Sequence, residues 1–201
     1  LLSKNSKLFL KNVNINPSRI GIIKILKRMG AKIKFVNKKN YKGEMIGDIF
    51  VKSTKNLKAI NLDSSQNSSV IDEFLLVFLV ASKCKGVSSF EKLSELNKKE
   101  SKRLDWGIKI LKMMNVKVLK TKNNGIKIWG NNNSLPKKNY IIKNFLKDHR
   151  IFMLSAIAAL SFGGNWKIYD PDSINTSFPG FIKTLNSLGA KIKWKNFLKL
   201  P

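Results

Sequence analysis

Two apolar stretches dominate the pattern of hydrophobic and polar positions along the chain. They cover residues 70–82 and 151–162, and each is about a dozen residues long. A segment that is apolar on every side predicts a helix buried inside a globular core. A helix that spans a bilayer needs roughly 20 apolar residues, so neither stretch indicates a membrane segment. We therefore expect a chain with its own core and no membrane partner.

Shorter periodic segments surround these two stretches and predict an alternation of strands and helices. A helix that begins at Asn16, Pro17 and Ser18 and ends at Gly30 is predicted between two strands. The polar residues 37–40 and 131–139 are typical of loops. Two further helices are predicted over residues 101–114 and 177–188, and strands over residues 8–14, 32–36, 49–52, 87–93, 116–120, 125–129, 140–142 and 166–169.

One short pattern occurs three times. Residues 25–35 read ILKRMGAKIKF, residues 110–119 read ILKMMNVKVL, and residues 185–194 read LNSLGAKIKW. Each copy predicts a helix end, a tight turn and a strand. The copies lie roughly 75 to 85 residues apart, which is too long for a solenoid and indicates three globular α/β units.

We therefore expect a single domain, 1–201, with units over about 1–66, 67–138 and 139–201. The second and third units begin with the buried apolar helices, whereas the first has only a short apolar start at Leu1 and Leu2. Residues 2–10 are comparable to residues 80–90. We expect the first unit to be truncated and the chain to be a fragment that lacks at least one core helix.

The charge of the chain raises the question of a polyanionic partner. The formal net charge is +27, but only four of the basic residues are arginines. Readers of nucleic acid grooves favour the planar guanidinium, which binds bidentately. The lysines are scattered and accompany abundant asparagine and isoleucine, so compositional bias explains the charge at least as well. We expect no nucleic-acid partner, although a nonenzymatic basic nucleic-acid-binding domain remains an alternative.

The single cysteine, Cys84, limits the redox chemistry of the chain. It excludes an intramolecular disulfide and any CxxC motif for metal or redox chemistry. This usage fits a reducing compartment, so the predicted location is the cytoplasm. No glycine-rich phosphate loop or cluster of metal ligands occurs in the sequence, and we expect neither a cofactor nor a metal.

Several charged residues lie at or just before predicted helix starts, where free N–H groups and the helix dipole attract anions. They are Asp72, Glu100 and the group Asp148, His149 and Arg150. With neighbouring cations, they predict a site for a multiply anionic small molecule, with carboxylates available for proton transfer. Acidic residues at helix starts are also frequent as simple caps, and a lone histidine is more often structural. From these residues alone, both a functional role and a purely structural role remain open.

Longer strings in the sequence resemble the carboxy-terminal half of the 5-enolpyruvylshikimate-3-phosphate synthase family. They run in the family's order and cover nearly the whole chain. The strings are LKNVNINPSRIGIIKILKRMGAKI at 10–33, GEMIGDI at 43–49, VIDE at 70–73, ELNKKESKRL at 95–104, DHR at 148–150, and the segment from TSFP at 176–179 to LGA at 188–190.

The resemblance implies an α/β (α+β) fold in which repeated βαβαββ units form one globular half of an enolpyruvyl transferase, like an inside-out barrel. The active site of such an enzyme lies in the cleft between two halves, and the amino-terminal half would be absent here. The family transfers the enolpyruvyl group of phosphoenolpyruvate to the 5-hydroxyl of shikimate 3-phosphate, releasing phosphate. It uses no cofactor, and we expect a cytoplasmic enzyme that is a monomer at full length.

Two carboxylates match the catalytic positions of the family. Asp72 matches the residue that takes the 5-hydroxyl proton and touches shikimate 3-phosphate, and Glu100 matches the one implicated in proton transfer at the phosphoenolpyruvate methylene. The resemblance therefore implies that both act directly in the reaction.

Three cations match the substrate-binding positions of the family. Lys99 matches a lysine on the shikimate side, whereas Arg103 and Arg150 match the arginines that hold phosphoenolpyruvate. Guanidinium groups suit a phosphorylated substrate because they bind its oxygens in pairs. Asp148 and His149 are possible supporting residues.

The sequence departs from the family pattern at a few positions near these residues. Asn97, Lys98 and Lys102 replace the Arg, Val and Asp of the usual motif, which shifts its charge balance. Thr176 stands where some family members have a lysine that binds phosphoenolpyruvate. Other members have the Thr-Ser-Phe-Pro form found here, so Thr176 indicates a different branch of the family. The sister enzyme that acts on UDP-N-acetylglucosamine is an alternative, but it lacks the pairing of Lys-Glu-Ser with Asp-His-Arg. We expect the 201-residue chain alone to be inactive.

Overall fold

Helices and strands alternate along the computed structural model, which describes residues 1–130 and 139–193. Within these residues the α-helices are α1 (Gly21–Arg28), α2 (Phe74–Ala81), α3 (Arg103–Met113), α4 (His149–Phe162) and α5 (Phe181–Ser187). The strands are β1 (Lys7–Asn14), β2 (Lys32–Tyr41), β3 (Glu44–Lys52), β4 (Asn61–Leu62), β5 (Gly86–Phe90), β6 (Val118–Lys120), β7 (Ile126–Gly130), β8 (Asn139–Ile142) and β9 (Asn165–Ile168). Short 3-10 helices cover Ser64–Val70, Ser94–Lys98 and Pro171–Thr176.

The first sheet is antiparallel, in the order β1-β3-β2. One of its faces carries Ile33 and Ile49 into the core, where Ile25 of α1 and Met29, the residue after this helix, also lie. The start of α1 requires a glycine, because a Cβ on Gly21 would lie 2.0 Å from the carbonyl oxygen of Ser69. The opposite face of this sheet is mostly exposed.

Strands β2 and β3 form a long hairpin that the sequence pattern did not predict. The predicted loop at residues 37–40 was wrong, because these residues belong to β2. Lys42 and Gly43 both have positive φ, 51° and 82°, which suits a two-residue hairpin turn. Both edge strands shift register close to Asp48, β1 opposite this residue and β2 just after its pair with Val36. Asp48 accepts hydrogen bonds from the Asn12 backbone N–H and from Asn37 Nδ2. The polar residues of β2 face solvent, and their apolar periodicity is therefore weak.

The predicted start of the first helix was also too early. Residues 17–19 form a turn, and α1 begins at Gly21. The Asn16 carboxamide accepts a hydrogen bond from the Met45 N–H and donates one to Glu44. Because it is engaged with β3, Asn16 is not available to cap a helix.

Residues 61–130 contain the element order β-α-β-α-β-β. Their sheet has the order β4-β5-β7-β6, with β4 parallel to β5 and an antiparallel hairpin of β6 and β7. The predicted hairpin at residues 116–129 is thereby confirmed. In the third sheet β8 pairs in parallel with β9. The division into three units with boundaries near 66 and 138 remains a prediction.

The core is centred on α2, which packs against α3 and α4. Nearly every residue of α2 is buried, as its apolar sequence predicts. This helix begins at Phe74 and not at residue 70, because a 3-10 helix and a turn precede it. In the described part of the chain, no helix is long and apolar enough to cross a membrane.

The last predicted helix is shorter than expected. Residues 171–176 form a 3-10 helix, and α5 covers only Phe181–Ser187 after Pro179. Gly189 has a φ of 95°, in agreement with its predicted place after the helix end. No strand forms over residues 191–193, and Trp194 of the third copy lies outside the described residues, as do residues 131–138 of the predicted loop.

Candidate active site

The start of α4 provides the first element of the site. Asp148 caps this helix, with its Oδ1 accepting a hydrogen bond from the Arg150 N–H at 2.9 Å. An aspartate at this position satisfies a free N–H and complements the positive end of the helix dipole. The predicted helix start at Asp148, His149 and Arg150 is confirmed. The capped turn fixes the position of Arg150.

The start of α3 brings Arg103 onto the same aspartate. Arg103 Nε donates to Asp148 Oδ2 at 2.9 Å, and its Nη2 lies 3.3 Å from Oδ1. The Ser101 hydroxyl donates to Oδ2 as well, at 2.8 Å. The side chain of Arg103 is only 2% exposed, and that of Asp148 is fully buried. The two form a buried bidentate ion pair that joins α3 to α4.

The ionisation of Asp148 is controlled by two opposing effects. Burial acts to raise the pKa of Asp148, but hydrogen bonds from Arg103 and Ser101 outweigh it and hold this pKa below the ordinary value. Asp148 is therefore a carboxylate at neutral pH. Removing either partner would leave a buried charge unpaired.

Asp72 completes the arrangement from the turn before α2. Its Oδ1 lies 3.4 Å from Arg103 Nη1 and 3.7 Å from Lys99 Nζ, and its Oδ2 lies 3.4 Å from Arg150 Nη2. Arg150 Nη1 also donates to the carbonyl oxygen of Asp72 at 2.8 Å. Glu100 accepts a hydrogen bond from Arg103 Nη2. Three segments that are far apart in sequence thus meet at Arg103.

We call Asp72, Lys99, Glu100, Arg103, Asp148 and Arg150 the carboxylate–arginine cluster. Its three carboxylates and three cations have formal charges that cancel. Exposure differs sharply within it: the side chains of Asp72 and Glu100 are 40% and 54% exposed, against 2% for Arg103. The two carboxylates can therefore meet a ligand, while the buried guanidinium fixes their positions. Such an arrangement can accept and return protons at defined places.

Glu73 lies at the edge of the cluster. Its Oε1 is 3.9 Å from Arg150 Nη1. Partial burial raises the pKa of Glu73, with Asp72 adding to this effect and Arg150 opposing it. Arg150 lies closer to Asp72, at 3.4 Å from its Oδ2, than to Glu73.

The structure brings together six of the seven residues that the sequence singled out. The exception is His149, whose side chain forms no hydrogen bond or ion pair within residues 1–130 and 139–193. Asp148, expected only as a possible support, is instead the most buried carboxylate of the cluster. Sequence reasoning missed the buried Ser101, although it stands inside the quoted string.

Asn97 was noted only as a departure from the family motif, and the structure gives it a role. Its Oδ1 accepts hydrogen bonds from the N–H groups of Leu104 and Asp105, at 2.9 and 3.3 Å, and its Nδ2 donates to Asp105 Oδ2. Lys102, at the cap position of α3, makes no side-chain cap bond. Asn97 therefore satisfies the free N–H groups at the helix start beside Arg103. Lys98 forms an exposed pair with Glu95 and does not contact the cluster.

Metal binding and thiol chemistry find no support in the described residues. No group of three or more His, Cys, Asp or Glu side chains there could hold a metal ion. Burial raises the pKa of the Cys84 thiol to about 12, so its reactive thiolate is scarce at neutral pH.

Comparisons with known proteins agree with this geometry. The sequence model of the family described as EPSP synthase (3-phosphoshikimate 1-carboxyvinyltransferase) matches residues 2–185. A 3-phosphoshikimate 1-carboxyvinyltransferase from Ruthia magnifica is 38% identical over 198 residues, which cover 97% of this chain and 44% of that protein. One from Caldicellulosiruptor bescii is 33% identical over 192 residues, which cover 96% of this chain and 43% of that protein.

Solved structures show the same relationship. An EPSP synthase from Acinetobacter baumannii superposes with a TM-score of 0.85 at 30% identity, over 96% of this chain and 44% of that one. The enolpyruvyl transferase NikO from Streptomyces tendae, at 15% identity and a TM-score of 0.63 over 86% of this chain and 36% of that one, shares the fold. The chain thus spans less than half the length of these relatives. By its sequence and its structure, the chain belongs to the EPSP synthase (3-phosphoshikimate 1-carboxyvinyltransferase) family.

Proposed function

We propose that this chain provides one wall of an active site that transfers the enolpyruvyl group of phosphoenolpyruvate to the 5-hydroxyl of shikimate 3-phosphate. One observation carries the proposal: the carboxylate–arginine cluster gathers, from three segments, the residues that match the family's catalytic and binding positions. Membership of the family supports the reaction class.

Each exposed carboxylate has a role in this reaction. Asp72 accepts the proton of the 5-hydroxyl while the oxygen of that hydroxyl forms a bond to C2 of phosphoenolpyruvate. Glu100 gives a proton to the methylene carbon in this step and later removes one from the same carbon. Loss of phosphate and of that proton from the tetrahedral intermediate restores the double bond. Asp72 suits the base role because three cations fix its oxygens while 40% of its side chain stays open.

The cations serve as substrate ligands in this proposal. Arg150 and Arg103 hold phosphoenolpyruvate, and Lys99 contacts shikimate 3-phosphate. Arg103 must exchange part of its contact with Glu100 or Asp72 for a ligand oxygen, because all its nitrogens already face carboxylates. The charges of the cluster cancel, so it offers an anion little net attraction by itself. We therefore expect the 201-residue chain alone to bind each substrate weakly and to be inactive.

A chimera provides the test. This chain replaces the matching 44% of the Acinetobacter baumannii EPSP synthase, and phosphate release is measured with both substrates. We expect release that requires both phosphoenolpyruvate and shikimate 3-phosphate, with no added metal. A folded chimera that binds both substrates yet releases no phosphate, beside an active parent enzyme, would contradict the proposal. A cytoplasmic location and a monomeric full-length enzyme remain predictions of the same proposal.

A further inference from the structure

The exposed face of the first sheet carries lysines in direct register across its three strands. Lys7 lies opposite Lys52, and Lys52 lies opposite Lys32. Side chains in register on neighbouring strands share one face and stand roughly 4.8 Å apart. Like charges directly opposite one another are mildly destabilising in an exposed sheet, and a bound anion would relieve this repulsion.

The next row of the same face adds aromatic rings. Phe9 lies opposite Phe50, and Phe50 lies opposite Lys34. The two rings are 6.4 Å apart between centroids, and Phe9 is 43% exposed although it is a large apolar side chain. Lys52 Nζ lies 5.6 Å from the centre of the Phe50 ring. We call the two rows, Lys7, Phe9, Lys32, Lys34, Phe50 and Lys52, the lysine–phenylalanine face.

None of the four lysines of this face forms an ion pair within the described part of the chain. The neighbouring acid on β3, Asp48, accepts hydrogen bonds from Asn12 and Asn37, is only 8% exposed and keeps its negative charge. The face therefore combines an excess of positive charge over this one buried carboxylate with partly exposed aromatic rings.

We propose that the lysine–phenylalanine face binds single-stranded nucleic acid. Such surfaces pair cations that follow the phosphate backbone with exposed aromatic rings on which bases stack, and a β-sheet is a suitable support. A membrane surface fits less well, because a segment that lies in a lipid interface separates its apolar side from its charged side. Here the rings and the ammonium groups share one face. Composition alone argued against a nucleic-acid partner, but it could not reveal this local arrangement.

Strand binding by this face is independent of the proposed enolpyruvyl transfer. No hydrogen bond, ion pair or ring contact found for the six residues of the face involves the carboxylate–arginine cluster. Enolpyruvyl transfer and strand binding can therefore fail separately.

The test measures fluorescence anisotropy of labelled dT15 and U15 with the 201-residue chain over a range of salt concentrations. The triple variant Lys7→Gln, Lys32→Gln and Lys52→Gln removes three cations of the face. We expect weaker binding and a salt slope smaller by about 2, since each phosphate contact contributes roughly 0.7 for single strands. The double variant Phe9→Ser and Phe50→Ser keeps the charge, and we expect binding at least about tenfold weaker.

A charge-matched control separates this face from the overall charge. The triple variant Lys112→Gln, Lys122→Gln and Lys127→Gln removes three exposed lysines from other elements. We expect it to weaken binding less than about threefold, because these lysines do not belong to the binding face. If the double variant Phe9→Ser and Phe50→Ser does not fold, the double variant Phe9→Leu and Phe50→Leu replaces it in the test. This second variant keeps the apolar bulk and removes only the rings.

Several outcomes would overturn the proposal. Equal losses in the two lysine triples would show that binding follows net charge, and unchanged affinity in the folded phenylalanine variants would exclude stacking. Inorganic polyphosphate that competes as well as dT15 at equal phosphate concentration would also exclude a role for bases. Binding to phosphatidylserine vesicles that depends on the face, without binding to dT15, would assign it to membranes.

Discussion

The carboxylate–arginine cluster and the lysine–phenylalanine face use positive charge in opposite ways. In the cluster each cation faces a carboxylate, and the central guanidinium is buried with only 2% exposure. On the sheet face each lysine of the first row faces another lysine, and the side chains are exposed. The formal net charge of +27 therefore resides outside the cluster, which is balanced.

The difference shows why charge must be judged by its surroundings. A buried guanidinium without partners is very costly, so Arg103 and its carboxylates have a fixed geometry. Exposed lysines are screened by water and salt, and their mutual repulsion is small enough to persist. A fixed geometry suits proton transfer and orientation, whereas an exposed positive surface suits sequence-tolerant binding of a polyanion.

The largest effect is expected for Asp72→Asn in the chimera with the Acinetobacter baumannii enzyme. Asparagine keeps the size of the side chain but cannot accept the 5-hydroxyl proton. We expect turnover to fall by a factor of about 10² to 10⁴, with a much smaller change in the KM values. Steady-state kinetics with both substrates measure this. Lys52→Gln in the same chimera is the control and should keep turnover. Near-normal turnover in Asp72→Asn would remove Asp72 from the base role.

Asp148→Asn should produce the largest loss of stability. The asparagine can still cap α4, but Arg103 loses its buried counter-charge, which costs about 3 kcal/mol of unfolding free energy. Urea denaturation of the 201-residue chain measures the change. Asp172→Asn breaks the exposed pair with Lys147 and should cost no more than about 0.5 kcal/mol. Similar losses in both variants would show that the buried ion pair of Asp148 contributes no more to stability than the exposed pair of Asp172.

The buried ion pair of Asp148 should also affect how the unfolding free energy depends on pH. The pKa of Asp148 is lower in the folded chain than its ordinary value, so the unfolded chain binds more protons at low pH. Its stabilising effect is complete above the ordinary aspartate pKa near 4 and is lost as the pH falls through the lowered value. We expect the unfolding free energy of Asp148→Asn to decline less steeply below pH ~4 than that of the unchanged chain. Parallel curves would contradict this assignment.

Asn97→Ala should have an intermediate effect. It removes the acceptor for two N–H groups at the start of α3, and such losses cost about 1 kcal/mol. Lys98→Ala, which breaks only the exposed pair with Glu95, should leave the unfolding free energy almost unchanged. Urea denaturation compares the two neighbours. If Lys98→Ala proved the more damaging of the two, the capping role of Asn97 would be excluded.

The smallest predicted effect is a gain in stability, whereas the preceding variants lose stability or activity. The pKa of Glu73 is raised above its ordinary value, so its contribution to stability is present at low pH and declines as the pH rises through the raised value. Glu73→Gln should therefore raise the unfolding free energy at neutral pH, by no more than a few tenths of a kcal/mol after solvent screening. The pKa of Glu95 is lowered by Lys98, so Glu95→Gln should be slightly destabilising. Thermal unfolding at pH 7 compares the two signs.

The elements that sequence alone determined are those with an unmistakable apolar pattern. Residues 74–81 form a helix because a segment that is apolar all round gains most by complete burial. The second apolar stretch also forms a helix, α4, but it is buried on one side only, and Leu160 is 43% exposed. The hairpin of β6 and β7 follows from turn residues between two alternating segments. The six members of the cluster were also identifiable, because their residue types stand in strings that the family shares.

Tertiary structure decided the features that depend on partners distant in sequence. The middle of β2 looked like a loop because its polar side chains face solvent, and only pairing with β3 makes it a strand. Asn97 and Asp148 gained their roles through atoms that folding brings to them, an N–H pair at a helix start and a buried guanidinium. The row of Lys7, Lys52 and Lys32 exists only through strand register. Local sequence encodes propensity and periodicity, whereas contacts between distant segments depend on how the whole chain packs.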